Sequence, residues 1–310
     1  MSRILIFTEL FAILVLVAMK ITVGVKSLKE AEYFFANGAE EVYCGLLDLP
    51  NNRLPYENFL KPADILPVIK LAARTGKKAF LAANVILKQR DYPGALKLIS
   101  GMAEAGLSGV ILRDPALLAY FKRKKFRFHF TLSTLANCFN VRALEFFSGL
   151  GISRIVLPMQ MMPMDAAGLI KNRFGIDTEV FCQAFYYGIN VDSRCELPCP
   201  QDGKKEPGRY RDFTCLLPFK SRQGIFHMPM PHQDYMLGAF YDYYKAGVKH
   251  LKIARWPNTP REIDLFLKVR RLLGLLEQGT DRKVFIQKGL RLDSKPLEYG
   301  KSFTFKPFRS

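Results

Sequence analysis

A short motif that recurs four times is the feature that most constrains the fold of this chain. Each copy has the end of a helical segment, a glycine, a small or branched residue and then a β-rich run. The copies are ANGAEEVY at 36–43, EAGLSGVIL at 104–112, GLGISRIVL at 149–157 and KAGVKHLKI at 245–253. A helix that ends at glycine and leads into a strand is typical of repeated βα units. The repeat therefore predicts parallel strands covered by helices.

Eight β-rich runs alternate with the helical segments, and most of them are continuously apolar, as in strands that are covered on both faces. We predict an α/β fold, a TIM-like (β/α) barrel with a cysteine-containing insertion after the seventh strand. An open doubly wound sheet is the alternative, although no G-x-G-x-x-G or P-loop follows the first run. The predicted strands are 21–25, 41–46, 78–84, 109–114, 127–132, 154–158, 178–183 and 250–255.

The pattern divides the 310 residues into three parts. Residues 1–18 read as a hydrophobic extension or a misassigned start, residues 19–276 as the barrel, and residues 277–310 as a basic tail. The barrel includes an insertion at 182–235 in which helical periodicity stops. The apolar run at 10–19 is shorter than the ~20 residues of a membrane span. We therefore expect a cytoplasmic protein without a stable membrane span, and a secretory signal is the alternative.

The composition is that of a globular chain with a strong excess of positive charge. Apolar residues make up 49% and charged residues 24%, which excludes disordered, collagen-like and polytopic membrane proteins. The formal net charge of +18 favours an anionic partner such as a nucleic acid, an anionic metabolite or a membrane surface. Basic residues concentrate at 121–130 and in the tail at 281–310. The first cluster is a candidate RNA contact or, alternatively, a helix end that is stabilised by lysines. The tail is a second candidate RNA contact.

Four of the six cysteines fall close together at the predicted insertion: Cys182, Cys195, Cys199 and Cys215. They lie at or after the end of the seventh strand, on the side where barrel enzymes place their chemistry. Clustered thiolates of this wide spacing suit an iron–sulfur cluster, whereas structural zinc favours paired two-residue gaps. Four buried thiols are the alternative. Cys44 is a substitute for Cys215 as the fourth ligand, and we assign Cys138 to packing.

Polar residues at the strand ends are the candidate catalytic residues, since the carboxyl ends of barrel strands converge on one mouth. Asp114 precedes Pro115 and is alternatively a helix cap. The four histidines show no H-E-x-x-H pattern, and His227 and His232 lie near the insertion. No G-x-S-x-G motif indicates a serine hydrolase. The candidate catalytic set is Asn84, Asp114, Ser133, Thr134, Asn137 and Arg255.

Several segments resemble the collagenase-like peptidase family U32, which includes RNA and ubiquinone-pathway anaerobic hydroxylation proteins. AEYFFANGAEEVYCGL at 31–46 resembles the first βαβ segment of that family, and SRCELPCP at 193–200 resembles its R-C-x-x-P-C segment. STLANCFN, RIVLP and AGVKHLKIARW resemble later blocks. Two positions depart from the family pattern, since CQAFY replaces H-G-A-x-C and Ala254 replaces a glutamate.

The resemblance implies a barrel, a four-cysteine iron–sulfur cluster (4Fe–4S) and oxygen-independent hydroxylation with prephenate as the hydroxyl source. The acceptor would be RNA or a quinone precursor. The expected partners are an anionic small molecule such as prephenate, RNA and a paralogous subunit. Two other functions stay open: a collagenase-like peptidase or other hydrolase, and a basic RNA-binding subunit.

Overall fold

The structure, a computed structural model, describes residues 19–182, 218–222, 224–227, 232–254 and 259–293. In these ranges, strands and helices alternate along the chain, with short 3-10 turns between some of them. The strands are β1 (Lys20–Gly24), β2 (Glu41–Gly45), β3 (Lys78–Ala83), β4 (Gly109–Leu112), β5 (Phe130–Leu132), β6 (Arg154–Val156), β7 (Asp177–Phe181), β8 (Pro218–Ser221), β9 (Gly224–His227) and β10 (His250–Ile253). The helices are α1 (Leu28–Ala36), α2 (Pro62–Arg74), α3 (Tyr92–Glu104), α4 (Pro115–Arg123), α5 (Val141–Gly149), α6 (Ala167–Ile170), α7 (Gln233–Ala246), α8 (Thr259–Glu277) and α9 (Arg282–Asp293).

Eight parallel strands close into a barrel in the order β1-β10-β7-β6-β5-β4-β3-β2. The closure pairs β1 with both β2 and β10, so the sheet formed by these strands has no open edge. The predicted barrel is therefore confirmed and the open doubly wound sheet is wrong. Strands β8 and β9 form a separate antiparallel hairpin inside the predicted insertion.

The recurring glycines end helices for a steric reason. Gly38, Gly106, Gly151 and Gly247 have φ angles of 98°, 102°, 91° and 93°, a conformation that glycine adopts without a Cβ clash. Each one turns the chain from a helix into the next strand. At the other end of α1, the Ser27 side chain accepts a hydrogen bond from the Glu30 amide, as expected for an N-cap.

Side chains alternate along each strand between two apolar layers. The larger layer lies between barrel and helices and contains residues such as Ile21, Val42 and Leu81. The smaller layer lies inside the barrel and consists of Tyr43, Phe80, Ala82 and Ile111. Charged residues share the inner face, and they shape the candidate site.

Two regions differ in detail from the expectations. Strand β5 begins at Phe130 instead of residue 127, because Arg127 is exposed and its aromatic neighbours Phe126 and Phe128 pack against the core from outside the strand. Residues 282–293 of the predicted tail form α9, with Phe285 fully buried. None of the helices that the structure describes is both long enough and apolar enough to cross a bilayer.

Candidate functional site at the barrel mouth

The mouth is the upper end of the barrel, where the parallel strands finish, and the lower end is where they begin. The lower half of the interior holds a buried ionic cluster, which we call the lumen network. It is formed by Arg154, Glu41, Glu179, Lys252 and Thr22. Arg154 donates to both carboxylate oxygens of Glu41, at 2.6 and 2.8 Å, and to Glu179 at 2.9 Å. The Thr22 hydroxyl donates to Glu41 at 2.8 Å, and Lys252 Nζ lies 3.7 Å from Glu179. Two cations therefore balance two carboxylates, and the paired geometry offsets the cost of burying them.

The pKa values follow from this pairing. Burial alone would raise the pKa of Glu41, but the hydrogen bonds and charge of Arg154 outweigh it and hold that pKa well below its usual value. Burial lowers the pKa of Lys252, and the nearby Glu179 only partly opposes this. The sequence prediction missed these residues, although charges within otherwise apolar strands were a visible signal.

Three polar side chains form a row at the mouth, where the strands end: Asn84, Arg113 and Ser133. Ala83 pairs with Leu112 and Leu112 with Leu132, so the next residue on each of β3, β4 and β5 lies at one level. By strand alternation these residues share the inner face with Ala82 and Ile111. Asn84 Nδ2 donates to Ser133 Oγ at 3.4 Å across the end of β4. We call these three residues the mouth row.

Arg113 is the member of the mouth row that the sequence prediction missed. It is half-buried and makes no hydrogen bond or ion pair with another residue in the described part of the chain. The nearby Arg53 is different, since it donates to the carbonyls of Val25, Tyr43 and Glu57 at 2.7 to 3.0 Å. Arg53 therefore fastens the mouth loops, whereas the Arg113 guanidinium is available to bind an anion.

One further predicted residue, Asp114, has a structural role. Asp114 is 1% exposed, and its carboxylate accepts hydrogen bonds from the amides of Leu87, Ala116 and Leu117 and from the Tyr92 hydroxyl. Asp114 is therefore the N-cap of α4, which was the alternative to its predicted catalytic role.

The other predicted residues lie beside the mouth row or beyond the described ranges. Thr134 donates to the Leu157 carbonyl at 3.1 Å, which joins the ends of β5 and β6. Asn137 is exposed and ends a 3-10 turn with φ 52°. Asn84 also accepts from the Asn52 amide at 3.0 Å. Arg255 lies outside the described residues.

The structure describes Cys182 among the four predicted cluster ligands, and Cys195, Cys199 and Cys215 lie outside the described residues. Cys182 directly follows β7 and is fully buried in the apolar layer between barrel and helices. Cys44 belongs to the same layer but lies on β2. Since two strands separate β2 from β7, about 14 Å of sheet lies between them. These two cysteines therefore do not ligate one cluster together.

The histidines do not form a hydrolytic site at the mouth in the ranges described. His250 opens β10, and its Nδ1 lies 3.6 Å from Glu41 in the lumen network. His129 precedes β5, and its ring contacts Phe80 at 5.4 Å between centroids. No group of three or more His, Cys, Asp and Glu among the described residues could hold a metal ion. His232 is exposed at the start of α7, and the His227 side chain lies outside the described part.

Comparison with known proteins identifies the family. The model of peptidase family U32 matches residues 26–196, which is more than half of the chain. The chain belongs to peptidase family U32. The solved structure of the U32 peptidase Mk0906 superposes with a TM-score of 0.51 at 11% identity and covers 77% of this chain and 94% of that one. A dihydrodipicolinate synthase from Agrobacterium tumefaciens gives 0.50 at 10% identity, with coverages of 89% and 80%. These two likenesses concern the fold alone.

Curated relatives of this U32 chain carry two kinds of name. The tRNA hydroxylation protein P of Haemophilus influenzae is 24% identical over 62% of this chain and 45% of its own length. The 23S rRNA 5-hydroxycytidine C2501 synthase of Escherichia coli is 26% identical, over 70% and 33%. A collagenase of Porphyromonas gingivalis is 29% identical, over 36% and 26%. The chain thus spans less than half the length of each of these relatives.

Proposed function

We propose that this U32 protein takes part in the oxygen-independent hydroxylation of RNA, with a carboxylate-bearing hydroxyl donor bound at the barrel mouth. The observation that carries the proposal is Arg113, a half-buried residue that has no hydrogen-bond or ion-pair partner among the described residues. The strand register places it between the neutral polar residues Asn84 and Ser133. Such a group binds a carboxylate through two parallel hydrogen bonds. The names of the relatives, a tRNA hydroxylation protein and an rRNA hydroxycytidine synthase, support RNA as the acceptor.

The described residues define how a donor would be oriented. Arg113 would bind its carboxylate, while Asn84 and Ser133 would bind a second polar group on either side. Beneath them, the inner-face side chains of Ala82 and Ile111 offer an apolar floor for a cyclic carbon skeleton. A donor with one ring, carboxylates and a hydroxyl, such as prephenate, matches this distribution of polar and apolar groups.

The overall reaction exchanges a hydroxyl group for a hydrogen atom. The acceptor carbon gains OH and loses H, and the donor carbon does the reverse, so that no molecular oxygen is required. An iron–sulfur cluster, when bound, would supply one-electron chemistry. Cys182, Cys195, Cys199 and Cys215 would hold it, and thiolates are the ligands that such clusters use.

The quinone-precursor acceptor and the peptidase function are weaker alternatives. The collagenase relative matches 36% of this chain, a smaller share than the hydroxylation relatives above. A peptidase needs a base close to the site where its substrate binds. His129 and His250 lie at the lower end of the lumen, whereas the mouth row lies at the upper end.

The test is a reaction with purified full-length chain under anaerobic conditions. The chain, an RNA transcript and prephenate are incubated, and the nucleosides are analysed by mass spectrometry for the gain of one oxygen atom. We expect Arg113→Gln to raise the KM for prephenate by about tenfold or more. Arg142→Gln, which removes an exposed arginine on α5, is the matched control. Loss of activity in both variants, or in neither, contradicts the role of the mouth row.

The cluster is tested separately by iron and sulfide determination. Cys195→Ala and Cys199→Ala should each lower the iron content, while Cys138→Ala, in the apolar layer, should not. Full iron in both of the first two variants would refute the ligand assignment. A chain that is free of iron but cleaves peptides would support the hydrolase instead.

A further inference from the structure

The end of the barrel opposite the mouth carries a concentrated positive charge. We define the basic face by the segments that lead from each helix into the next barrel strand. Each segment begins with the last four residues of the helix and ends with the first residue of the strand. The basic face consists of the exposed or half-buried charged residues of these segments, together with Lys20. It contains thirteen Lys or Arg and three Asp or Glu. The basic members are Lys20, Arg74, Lys77, Lys78, Lys122, Arg123, Lys124, Lys125, Arg127, Lys171, Arg173, Lys245 and Lys249, and the acidic members are Glu40, Glu104 and Asp177.

The mouth has a smaller excess of positive charge in the connections that the structure describes there. From each strand end to the first four residues of the next helix, residues 24–170 contain eight exposed or half-buried Lys or Arg and four Asp or Glu. Over residues 24–170, where the structure describes the connections at both ends, the excess of positive charge is +4 at the mouth and +6 at the basic face. The whole basic face, with Lys20 and residues 171–249, has an excess of +10. Large exposed apolar side chains show the opposite distribution, since Phe146 is the one on the described basic-face connections. The mouth connections have eight: Leu47, Leu54, Tyr56, Leu60, Ile86, Phe139, Val141 and Met164.

Helix stabilisation does not account for the basic face. Lysine and arginine are favourable in the last turn of a helix, but only four of the thirteen lie there: Arg74, Lys122, Arg123 and Lys245. Local ion pairing does not account for it either. Lys249 pairs with Asp177 at 2.6 Å and Arg173 with Glu145 at 3.1 Å, and the other eleven have no acidic partner among the described residues. Like charges in this arrangement repel one another.

We propose that the basic face binds the phosphate backbone of RNA. Its cations lie below β1, β10, β7, β5 and β3, and so surround much of the barrel axis. A spread of exposed lysines and arginines matches a folded polyanion, whose phosphates lie at several separate positions. An anionic membrane is the less suitable partner, because interfacial binding combines basic charge with inserted apolar side chains. The choice of RNA rests on the proposed function, but the existence of the surface does not.

The test compares two quadruple variants that remove equal charge. Arg123→Gln, Lys124→Gln, Arg127→Gln and Lys171→Gln alter exposed residues of the basic face. Lys70→Gln, Lys97→Gln, Arg271→Gln and Lys288→Gln alter exposed residues in the middle of α2, α3, α8 and α9. Binding of a labelled tRNA transcript to the full chain is measured by fluorescence anisotropy over a series of salt concentrations. Vesicles of phosphatidylserine and phosphatidylcholine serve as the second probe.

We expect the basic-face variant to bind the transcript at least about tenfold more weakly, with a log–log salt slope lower by roughly 2 to 3. The control should lose less than about threefold. Equal losses, no loss in the basic-face variant, or no RNA binding by the wild-type chain would overturn the proposal. Loss of vesicle binding with unchanged RNA binding would overturn it in favour of a membrane.

The failure of this proposal is distinguishable from the failure of the proposed hydroxylation. A chain that binds RNA through this face but forms no hydroxylated nucleoside contradicts only the reaction. An active chain whose basic-face variant binds the transcript as tightly as the wild type contradicts only the surface.

Discussion

The mouth and the basic face of this barrel differ in the kind of surface they present and in how their charges are held. At the mouth, a half-buried arginine lies between two polar neutral residues, with apolar side chains exposed on the surrounding loops. At the opposite end, nearly all of the cations are exposed and most lack an acidic partner in the described ranges. The first arrangement suits a small anionic molecule, and the second suits a large one.

The lumen network between the two ends explains why they are chemically separate. The lower interior is filled by a balanced set of buried charges, so the barrel between its two ends is a packed core. The set consists of Arg154 and Lys252 with Glu41 and Glu179. The ends can therefore differ without affecting each other. Stability, small-molecule binding and polyanion binding should respond to different substitutions, and four predictions test this separation.

The largest effect is expected in the lumen network. Arg154→Met leaves the buried carboxylates of Glu41 and Glu179 without their guanidinium and should lower the free energy of unfolding by about 3 to 5 kcal/mol. Arg142→Met breaks an ion pair with Glu145 whose arginine side chain is 90% exposed, and should cost under about 0.5 kcal/mol. Urea unfolding measures both. Similar midpoints for the two variants would show that the lumen network does not stabilise the barrel.

The next effect separates two arginines of the mouth. Arg53→Gln leaves up to three carbonyl groups without their donor and should lower the free energy of unfolding by about 2 to 3 kcal/mol. Arg113→Gln should change it by less than about 0.5 kcal/mol but weaken the binding of a dicarboxylate about tenfold. Urea unfolding and calorimetric titration measure the two quantities. A stability loss in Arg113→Gln that matches Arg53→Gln would assign Arg113 a structural role.

A smaller effect concerns pH. Burial, with the charge of Arg154, lowers the pKa of His129 from 6.5 to about 4. Since the unfolded chain binds this proton at higher pH than the folded chain, the contribution to stability is complete above about pH 6.5 and is lost as the pH falls toward 4. The loss should be on the order of 2 kcal/mol.

His129→Gln should flatten the decrease in unfolding free energy over that pH range, and His232→Gln, at an exposed position, should leave it unchanged. Urea unfolding at a series of pH values measures the decrease. An unaltered pH dependence in His129→Gln would show that other groups cause it.

The smallest effect is expected at the basic face. Replacing Arg123, Lys124, Arg127 and Lys171 by glutamine removes exposed like charges, so the free energy of unfolding should change by less than about 0.5 kcal/mol, toward higher stability. Thermal unfolding of the quadruple variant measures this. A large loss of stability would indicate that these charges maintain the fold and would weaken their assignment to a partner.

The barrel was predicted well from the sequence because the signals that indicate it lie in neighbouring residues. The four recurring glycines have positive φ angles that a helix-to-strand turn requires, and continuous apolar runs identify strands that are covered on both faces. All eight predicted strands are present, with ends that differ by a few residues. The N-cap of α1 at Ser27 was likewise a property of adjacent residues.

The candidate site was predicted less completely because it depends on pairing between distant strands. Asn84 and Ser133 were predicted, and the structure joins them by a hydrogen bond, but Arg113 was overlooked beside Asp114. Asp114 and Arg113 are adjacent in sequence, but strand alternation places them on opposite faces of the sheet. Arg113 lies on the inner face, and Asp114 lies on the side of the helices. The cluster ligands stay a prediction, since three of the four lie outside the described residues.

The sequence by itself determined that this chain forms repeated βα units, because turn geometry and hydrophobic burial act over neighbouring residues. Only the tertiary structure decided which charges compensate one another and which do not. Arg154 is balanced by Glu41 at a separation of 113 residues, whereas Arg113 has no described partner, and no local pattern distinguishes the two arginines. Electrostatic pairing depends on distance in space, and barrel closure is what sets those distances.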